Sequence, residues 1–188
     1  MLLMLFQWKV SAQVYPVQTN VSTSGPYYNY LSYYADENQH LQAIVTLTDF
    51  TAGPVDCRLR IRIEGPGYEL RTNPNLVIGV PFTLNPGVPN FINGIDLAPY
   101  LQESNLIIEP SGVNIDALPE GFTTVCIDVI RDGATQEVLS TNNCTGFFLQ
   151  RFQPAQALLP ICASNISVDE VFHTFQWAPP IGYVPSIG

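Results

Sequence analysis

The stretch that most constrains the fold is the alternating segment from Cys57 to Gly67, CRLRIRIEGPG. Apolar residues occupy every second position from Cys57 to Ile63, and arginines occupy the positions between them. A period of two is typical of a β-strand with one buried and one solvated face. Gly65-Pro66-Gly67 then ends the strand with residues that favour a turn. The segment therefore predicts a strand with Cys57 in the core and an outward row of arginines paired with acidic side chains on neighbouring strands.

Short apolar or alternating runs fill the rest of the chain, and 16 prolines and 13 glycines separate them. This spacing of strands and turns is typical of all-β domains, and no long helical period interrupts it. The best helical candidate is short, at Asp96–Leu101, with Asp96 as its cap and Pro99 in its first turn. We therefore predict an antiparallel immunoglobulin-like or macroglobulin-like β-sandwich with one short helix. Further strands are predicted at 14–21, 41–47, 68–72, 122–130 and 137–149.

Two turn sequences predict hairpins between neighbouring strands. Gly53-Pro54 lies between the strand at 41–47 and the strand that contains Cys57. Asn85-Pro86-Gly87 lies between short runs at 81–84 and 88–92. Because Gly, Pro and Asn favour tight reversals, each turn is expected to return the chain beside the strand that it has just left.

The N-terminus indicates export. Met1 to Phe6 is an apolar run, and Val10-Ser11-Ala12 places small residues where a signal peptidase would cut. The apolar run is short and Lys9 follows it instead of preceding it, so we interpret residues 1–12 as a secretory signal peptide truncated at its start. The alternative is a cytosolic start whose apolar residues enter the core. No stretch approaches the ~20 apolar residues of a transmembrane helix.

Four cysteines without a CxxC pair are consistent with an oxidising compartment. If the hairpin after residue 130 folds about residue 135, Cys126 and Cys144 lie opposite each other on neighbouring strands. Facing residues of an antiparallel pair can be close enough for a disulfide, which would contribute roughly 3 kcal/mol. The alternative is two buried thiols, and the pairing of Cys57 and Cys162 stays open.

A tyrosine-rich segment is the best candidate for ligand contact. It has five tyrosines in eight residues, and a flat aromatic face with a polar tip suits both sugars and protein partners. The alternative is that the tyrosines pack over the sandwich and keep their hydroxyls in water. The polar stretch that follows, 36–40, is interpreted as a solvated turn because it lacks the spaced ligands of a calcium loop. The five candidates are Tyr27, Tyr28, Tyr30, Tyr33 and Tyr34.

Composition and motifs disfavour several functions. The net charge is −9 with seven lysines and arginines, which is unsuited to binding nucleic acid. His40 and His173 lie in no arrangement typical of a catalytic triad or a metal site, and both are interpreted as surface residues. Glycine-rich nucleotide-binding motifs are absent. We therefore expect no enzymatic activity, no cofactor and no metal.

The C-terminal part of the chain starts a second pattern. Residues 150–157 are rich in Gln and predict a linker after a first domain at 14–149. Trp177 lies in an apolar run before Pro179-Pro180, which resembles the start of a fibronectin type III domain. Two strands cannot bury a tryptophan alone, so 158–188 is expected to be an incomplete domain of a larger protein, or to fold onto something else.

Six short strings in order resemble the TANFOR domain, a module of secreted proteins from Bacteroidetes-type bacteria. The resemblance covers about 14–148 and implies a module that precedes fibronectin type III-like domains in large exported proteins. It implies no catalytic residues. The strings are Val14–Val17, Tyr30–Tyr34, Arg58–Arg60 with Ile63–Gly67, Pro86–Pro89, Asp96–Leu101 and Leu118–Phe122.

The sequence thus favours a non-catalytic, secreted or cell-surface β-sandwich module. Its expected partners are a protein or glycan at the cell surface and further domains of the same chain, with no nucleic acid and no membrane span. Two alternatives remain. One is a carbohydrate-binding or carbohydrate-active sandwich that uses the tyrosines, and the other is a structural subunit of an extracellular assembly.

Overall fold

The structure, a computed structural model, describes residues 15–36, 40–141, 143–151, 156–159 and 176–178. In these ranges the chain forms eleven strands, one α-helix and three 3-10 turns. The 3-10 turns are Leu31–Ala35, Ala98–Leu101 and Glu103–Asn105. The strands and helix, in chain order, are β1 Val17–Thr23, β2 Leu41–Leu47, β3 Val55–Gly65, β4 Tyr68–Thr72, β5 Phe82–Leu84, β6 Pro89–Ile92, α1 Gly94–Leu97, β7 Leu106–Glu109, β8 Gly121–Arg131, β9 Asn143–Leu149, β10 Gln156–Leu159 and β11 Gln176–Ala178.

Two antiparallel sheets enclose one hydrophobic core. The smaller sheet has the strand order β1-β2-β6, and the larger has the order β7-β4-β3-β8-β9, with β5 paired to the start of β3. Alternate residues of β2 and β3 are buried and belong to the same core cluster, so the two inner faces pack on each other. The predicted all-β antiparallel sandwich with one short helix is confirmed.

Strand β3 is the middle strand of the larger sheet, and its predicted alternation of buried and outward residues is present. Cys57, Leu59, Ile61 and Ile63 are all buried, and each of the three aliphatic side chains contributes about 1.5–3 kcal/mol when it leaves water. β3 pairs with β8 over eight residues, the longest register in the larger sheet. The predicted turn is also present, and the chain returns from it as β4. Gly67 has a φ of +77°, a conformation that residues with a side chain rarely adopt.

Both hairpins predicted from turn sequences are wrong. β2 belongs to the smaller sheet and β3 to the larger one, so the chain through Gly53-Pro54 crosses between sheets. The chain through Asn85-Pro86-Gly87 crosses back, because β5 pairs with β3 while β6 pairs with β2. The second turn is fixed to the end of β2, where the Gly87 amide donates to the Leu47 carbonyl at 2.8 Å. Turn residues reverse the chain, but burial on either side of the core decides which sheet it joins.

The predicted helix starts two residues earlier than expected and has a different cap. The Asn93 side chain accepts hydrogen bonds from the amides of Ile95 and Asp96, at 2.9 and 3.2 Å. The Asp96 carboxylate accepts from the Asn93 amide at 3.0 Å, which completes a capping box. Asp96 is therefore the third helical residue and not the cap. Pro99 lies in the first turn of the 3-10 segment that follows α1, where its missing N–H costs little.

The predicted pairing of Cys126 with Cys144 is present. The two residues lie directly opposite each other on β8 and β9, their Cα atoms are 4.1 Å apart, and a disulfide joins them. The long strand predicted at 137–149 is divided, because only 143–149 forms β9 and the earlier part makes isolated bridges at Val138 and Ser140. Cys57 is a buried free thiol, and Cys162 lies outside the described residues.

The described part of the C-terminal region is one antiparallel pair. β10 and β11 form a separate two-stranded sheet, and β10 begins two residues inside the linker predicted at 150–157. The predicted signal peptide at 1–12, His173 and most of 158–188 lie outside the described residues. No helix in the described ranges is long and apolar enough to cross a membrane.

Candidate interaction surface

The tyrosine-rich segment connects β1 to β2 and is held at several points by backbone hydrogen bonds. The Ser24 amide donates to the His40 carbonyl at 3.0 Å, which closes the segment where the two strands separate. The Leu31 amide donates to the Ile115 carbonyl at 2.9 Å, and the Gln150 amide donates to the Tyr27 carbonyl at 3.2 Å. The segment is therefore attached to two distant parts of the chain.

Two of the five candidate tyrosines anchor the segment in the core. Tyr27 stacks on Phe147 with ring centroids 5.0 Å apart, and Tyr34 packs on the same ring at 5.6 Å. Tyr34 is only 4% exposed, and its hydroxyl donates to the Tyr28 carbonyl at 2.9 Å. Burial raises the pKa of Tyr34 well above its ordinary value. For Tyr34 and, in large part, Tyr27, the packing alternative describes the structure better than the ligand-contact interpretation.

The other three tyrosines form a half-exposed group, which we call the tyrosine cluster: Tyr28, Tyr30 and Tyr33. Tyr28 stacks on Tyr30 at 5.4 Å and meets Tyr33 edge-on at 4.5 Å. Tyr30 and Tyr33 are also edge-on, with centroids 5.6 Å apart. Such aromatic pairs contribute about 0.5–1.5 kcal/mol each beyond their buried area, so the rings hold one another in place.

His40 completes this cluster, although the sequence suggested a surface residue in a solvated turn. Its ring stacks on Tyr33 at 4.0 Å, and its Nδ1 lies 3.1 Å from the Tyr33 hydroxyl. Burial, with smaller contributions from Tyr28 and Asp36, raises the pKa of Tyr33 to about 12. Tyr33 therefore stays neutral across the physiological range and keeps its hydroxyl as a hydrogen-bonding group.

A second surface lies where β6 and β5 face each other, and sequence reasoning missed it. A cleft of about 480 Å³ is lined by residues of 79–82, 90–92 and the helical segment 95–100. Val80 is 83% exposed and Phe91 is 72% exposed, with Ile95 beside them. Asn90 and Asp96 are also among the lining residues. Together with Leu59 of β3, the lining comes from four segments, so no single stretch of sequence indicated it.

All three arginines of β3 have polar partners, but only Arg58 makes the predicted pair with an acid from another part of the sheet. Arg58 Nε donates to Asp132 at 2.6 Å, and the same guanidinium donates to the carbonyls of Ile78 and Gly79. Arg62 pairs with Glu64 at 2.6 Å, on its own strand rather than across the sheet. Exposed pairs of this kind contribute only ~0–1 kcal/mol.

The middle arginine departs from the prediction, because Arg60 donates to the Gln136 side chain rather than to an acid. Arg60 also faces Asp128 directly across the sheet. Burial raises the pKa of Asp128, and the two neighbouring arginines, Arg62 and Arg60, oppose that rise. One carboxylate oxygen of Asp128 is buried without a hydrogen-bond partner.

The described residues hold no cluster of three or more His, Cys, Asp or Glu side chains arranged to bind a metal ion. The free thiol of Cys57 donates weakly to the Val55 carbonyl at 3.5 Å. Burial raises the pKa of this thiol to about 11, so it remains protonated near neutrality and is a poor nucleophile.

Comparison with known proteins adds no family to this description. The chain matches no protein-family model, and the search of curated proteins finds no significant match. The function must therefore be argued from the arrangement of the chain's own side chains.

Proposed function

We propose that this chain is a non-catalytic interaction module of a secreted or cell-surface protein. In this proposal it binds a protein or glycan partner, and it is one domain of a larger exported chain. The signal-like start and the Cys126–Cys144 disulfide support export, since disulfides persist in oxidising compartments. The TANFOR resemblance and the fibronectin type III-like pattern after residue 157 support the part of the proposal that makes this chain one domain of a larger exported protein.

The observation that carries the proposal is the tyrosine cluster. Its three rings are half exposed but mutually packed, and the buried side chains of Leu31 and Tyr34 fix the turn that presents them. A ligand would therefore meet an ordered aromatic surface and would spend little free energy on immobilising it. Tyrosine combines large contact area with a polar tip and few rotatable bonds, which makes it frequent in binding surfaces.

Binding to a panel of glycans and to the surface of the producing cells tests the proposal. We expect binding by the wild-type chain that falls at least about tenfold in Tyr30→Ala, since each 1.4 kcal/mol changes affinity tenfold. Phe148→Ala is the matched control, because Phe148 is an exposed aromatic residue outside the cluster. Equal binding by a Tyr28→Ala/Tyr30→Ala/Tyr33→Ala variant and by the control would contradict the proposal.

A carbohydrate-binding function is the first alternative, and the same cluster favours it. Sugar rings pack their apolar faces on aromatic side chains, while hydroxyls such as that of Tyr33 supply hydrogen bonds. A glycan array distinguishes the two possibilities. Discrete glycan hits that disappear in Tyr30→Ala favour sugar binding, and a blank array together with retained binding to cell-surface protein rejects it.

A structural role in an extracellular assembly is the second alternative, favoured by the open cleft beside β6. In the described part of the chain, β6 pairs with β2 on one side and with no strand on the other. Unpaired strand edges are common sites of association with another chain. Light scattering coupled to size exclusion tests this role, and a monomer at every concentration, with or without the following domains, counts against it.

A further inference from the structure

The disulfide lies on the outer face of the larger sheet, at its β9 edge, and its two cysteines differ sharply in exposure. Cys126 is only 2% exposed, whereas Cys144 is exposed. The order of strands explains this difference, because β8 has neighbours on both sides while β9 is the last strand of its sheet in the described ranges. A reagent in solution therefore reaches the disulfide from the Cys144 side.

A cation lies against the shielded sulfur. Arg62 on β3 is directly opposite Cys126 on β8, and its Nη2 is 3.8 Å from the Cys126 Sγ. A guanidinium stays charged at every accessible pH, and a neighbouring cation stabilises a thiolate relative to a thiol. Glu64 shares the guanidinium through its 2.6 Å ion pair, and Asp128 lies two residues along β8 on the same face, so both carboxylates moderate this effect.

We propose that the Cys126–Cys144 disulfide is a thiol-exchange site at which Cys144 takes up a small thiol and Cys126 is the leaving group. The thiolate of the small thiol attacks Sγ of Cys144 and forms a mixed disulfide with it. The bond between the two protein sulfurs breaks, and its electron pair leaves on Cys126 as a thiolate beside Arg62. No net oxidation or reduction occurs, because one disulfide replaces another.

Two general properties of thiol exchange set this direction. The attacked sulfur must be open to approach along the line of the S–S bond, and a leaving thiol of low pKa leaves faster. Cys144 meets the first condition. The guanidinium of Arg62, in contact with Cys126 Sγ, favours the thiolate that the leaving group becomes. The free thiol of Cys57 cannot intercept the reaction, since its side chain is buried on the inner face of the same sheet.

Exchange with 2-mercaptoethanol tests the proposal on the oxidised full-length chain. Because this thiol carries no carboxylate, its thiolate is the only negative charge through which the arginines attract the reagent. After brief exposure the remaining thiols are blocked with N-ethylmaleimide and the peptides are mapped by mass. We expect the mercaptoethanol adduct on Cys144 and the maleimide on Cys126, in at least about fivefold excess over the reverse pattern. A Cys162→Ser background removes the cysteine that lies outside the described residues.

Substitution of Arg62 tests the role of the cation. Arg62→Gln should slow the exchange about threefold to tenfold, because the leaving thiolate loses its neighbouring charge. Arg62→Lys should retain most of the rate. Arg71→Gln is the matched control, since Arg71 lies directly opposite Arg62 on β4 and pairs with Glu109 away from the sulfurs.

Three results would overturn the proposal. The first is an adduct shared equally between Cys126 and Cys144, and the second is equal exchange rates for Arg62→Gln and Arg71→Gln. The third is a purified chain in which both cysteines are already free thiols.

Discussion

The two lateral edges of the sandwich are built differently. At the edge where β1 lies beside β9, which we call the closed edge, hydrogen bonds from β1 to the β8–β9 connection and to the start of β9 join the two sheets. The Val17 amide donates to the Leu139 carbonyl at 3.1 Å, and the Val21 amide donates to the Asn143 side chain at 3.2 Å. Leu139 itself is 1% exposed and belongs to the core. The closed edge therefore combines apolar burial with satisfied backbone donors.

At the opposite edge, which we call the open edge, β5 and β6 face each other across the 480 Å³ cleft. The helical segment after β6 lines part of this cleft, and there the buried Tyr100 hydroxyl accepts a long hydrogen bond from the Leu59 amide. Val80 and Phe91 remain largely in solvent. The difference teaches that an irregular connection can close a sandwich more completely than a short helix, because it can supply both backbone acceptors and side chains between the sheets.

The largest expected difference between the edges comes from apolar truncation. Leu139→Ala should lower the free energy of unfolding by about 2–5 kcal/mol, because it leaves a cavity in the closed edge. Val80→Ala at the open edge should change it by no more than about 0.5 kcal/mol, since the side chain is already in water. Urea unfolding followed by circular dichroism measures both. Similar losses for the two variants would mean that the edges are equally packed.

The disulfide should support the closed edge, because it joins β9 to β8. Cys126→Ser/Cys144→Ser should lower the free energy of unfolding by roughly 3 kcal/mol, as expected for a loop of this size. Hydrogen exchange should locate the effect. The double substitution should accelerate exchange of the Val17 and Val21 amides more than exchange of the β6 amides. An equal acceleration of exchange at both edges would contradict a specific role of the disulfide in stabilising the closed edge.

A single side-chain acceptor gives a smaller effect. Asn143→Ala removes the partner of the Val21 amide and should cost about 1–2 kcal/mol, the penalty for a partly buried donor left without an acceptor. Asn90→Ala is the control at the open edge, where the Asn90 side chain makes, among the described residues, only a local bond to the Val88 carbonyl. Urea unfolding should therefore give a lower midpoint for Asn143→Ala than for Asn90→Ala. Equal midpoints would contradict a stabilising role of the bond between the Val21 amide and the Asn143 side chain.

Alkaline pH should affect the open edge through Cys57, which pairs with Phe82 of β5. Burial raises the pKa of this thiol from 9.0 to about 11, so the folded chain holds its proton where the unfolded chain has lost it. Stability should therefore fall as the pH rises from about 9 to about 11. Thermal unfolding at several pH values should show a shallower decline for Cys57→Ala than for the wild type. An equal decline in the wild type and in Cys57→Ala would mean that ionisation of this thiol does not contribute to the loss of stability at alkaline pH.

Sequence patterns predicted the local features of the fold well. The alternation of β3, the extent of β2 and the pairing of Cys126 with Cys144 follow from side-chain period and strand register, which neighbouring residues determine. The two sheet crossings could not be predicted in this way. Gly53-Pro54 and Asn85-Pro86-Gly87 have the same turn chemistry whether the chain stays in its sheet or leaves it.

The candidate surface was predictable only in outline. The density of tyrosines located the segment, but the division between anchors and exposed rings depends on Phe147, which lies more than a hundred residues away. The 3-10 turn also has a period near three, so neither a strand nor an α-helix pattern would have assigned Tyr33 and Tyr34 to their faces. The open-edge cleft is lined by four segments spread between Leu59 and Tyr100 and had no local signal.

Gly94, the first residue of α1, constrains how a sequence with this fold can diverge. A Cβ atom at this position would lie 2.3 Å from the Asp36 carbonyl oxygen and 2.8 Å from that of Tyr34. Backbone atoms cannot yield as a flexible side chain could, so every replacement would push the helix away from the turn that presents the tyrosine cluster. Among descendants of such a domain the exposed tyrosines could be exchanged as ligands change, while the glycine after the Asn93 cap would persist. A search for distant relatives would therefore be better guided by this glycine and its cap than by the aromatic residues beside it.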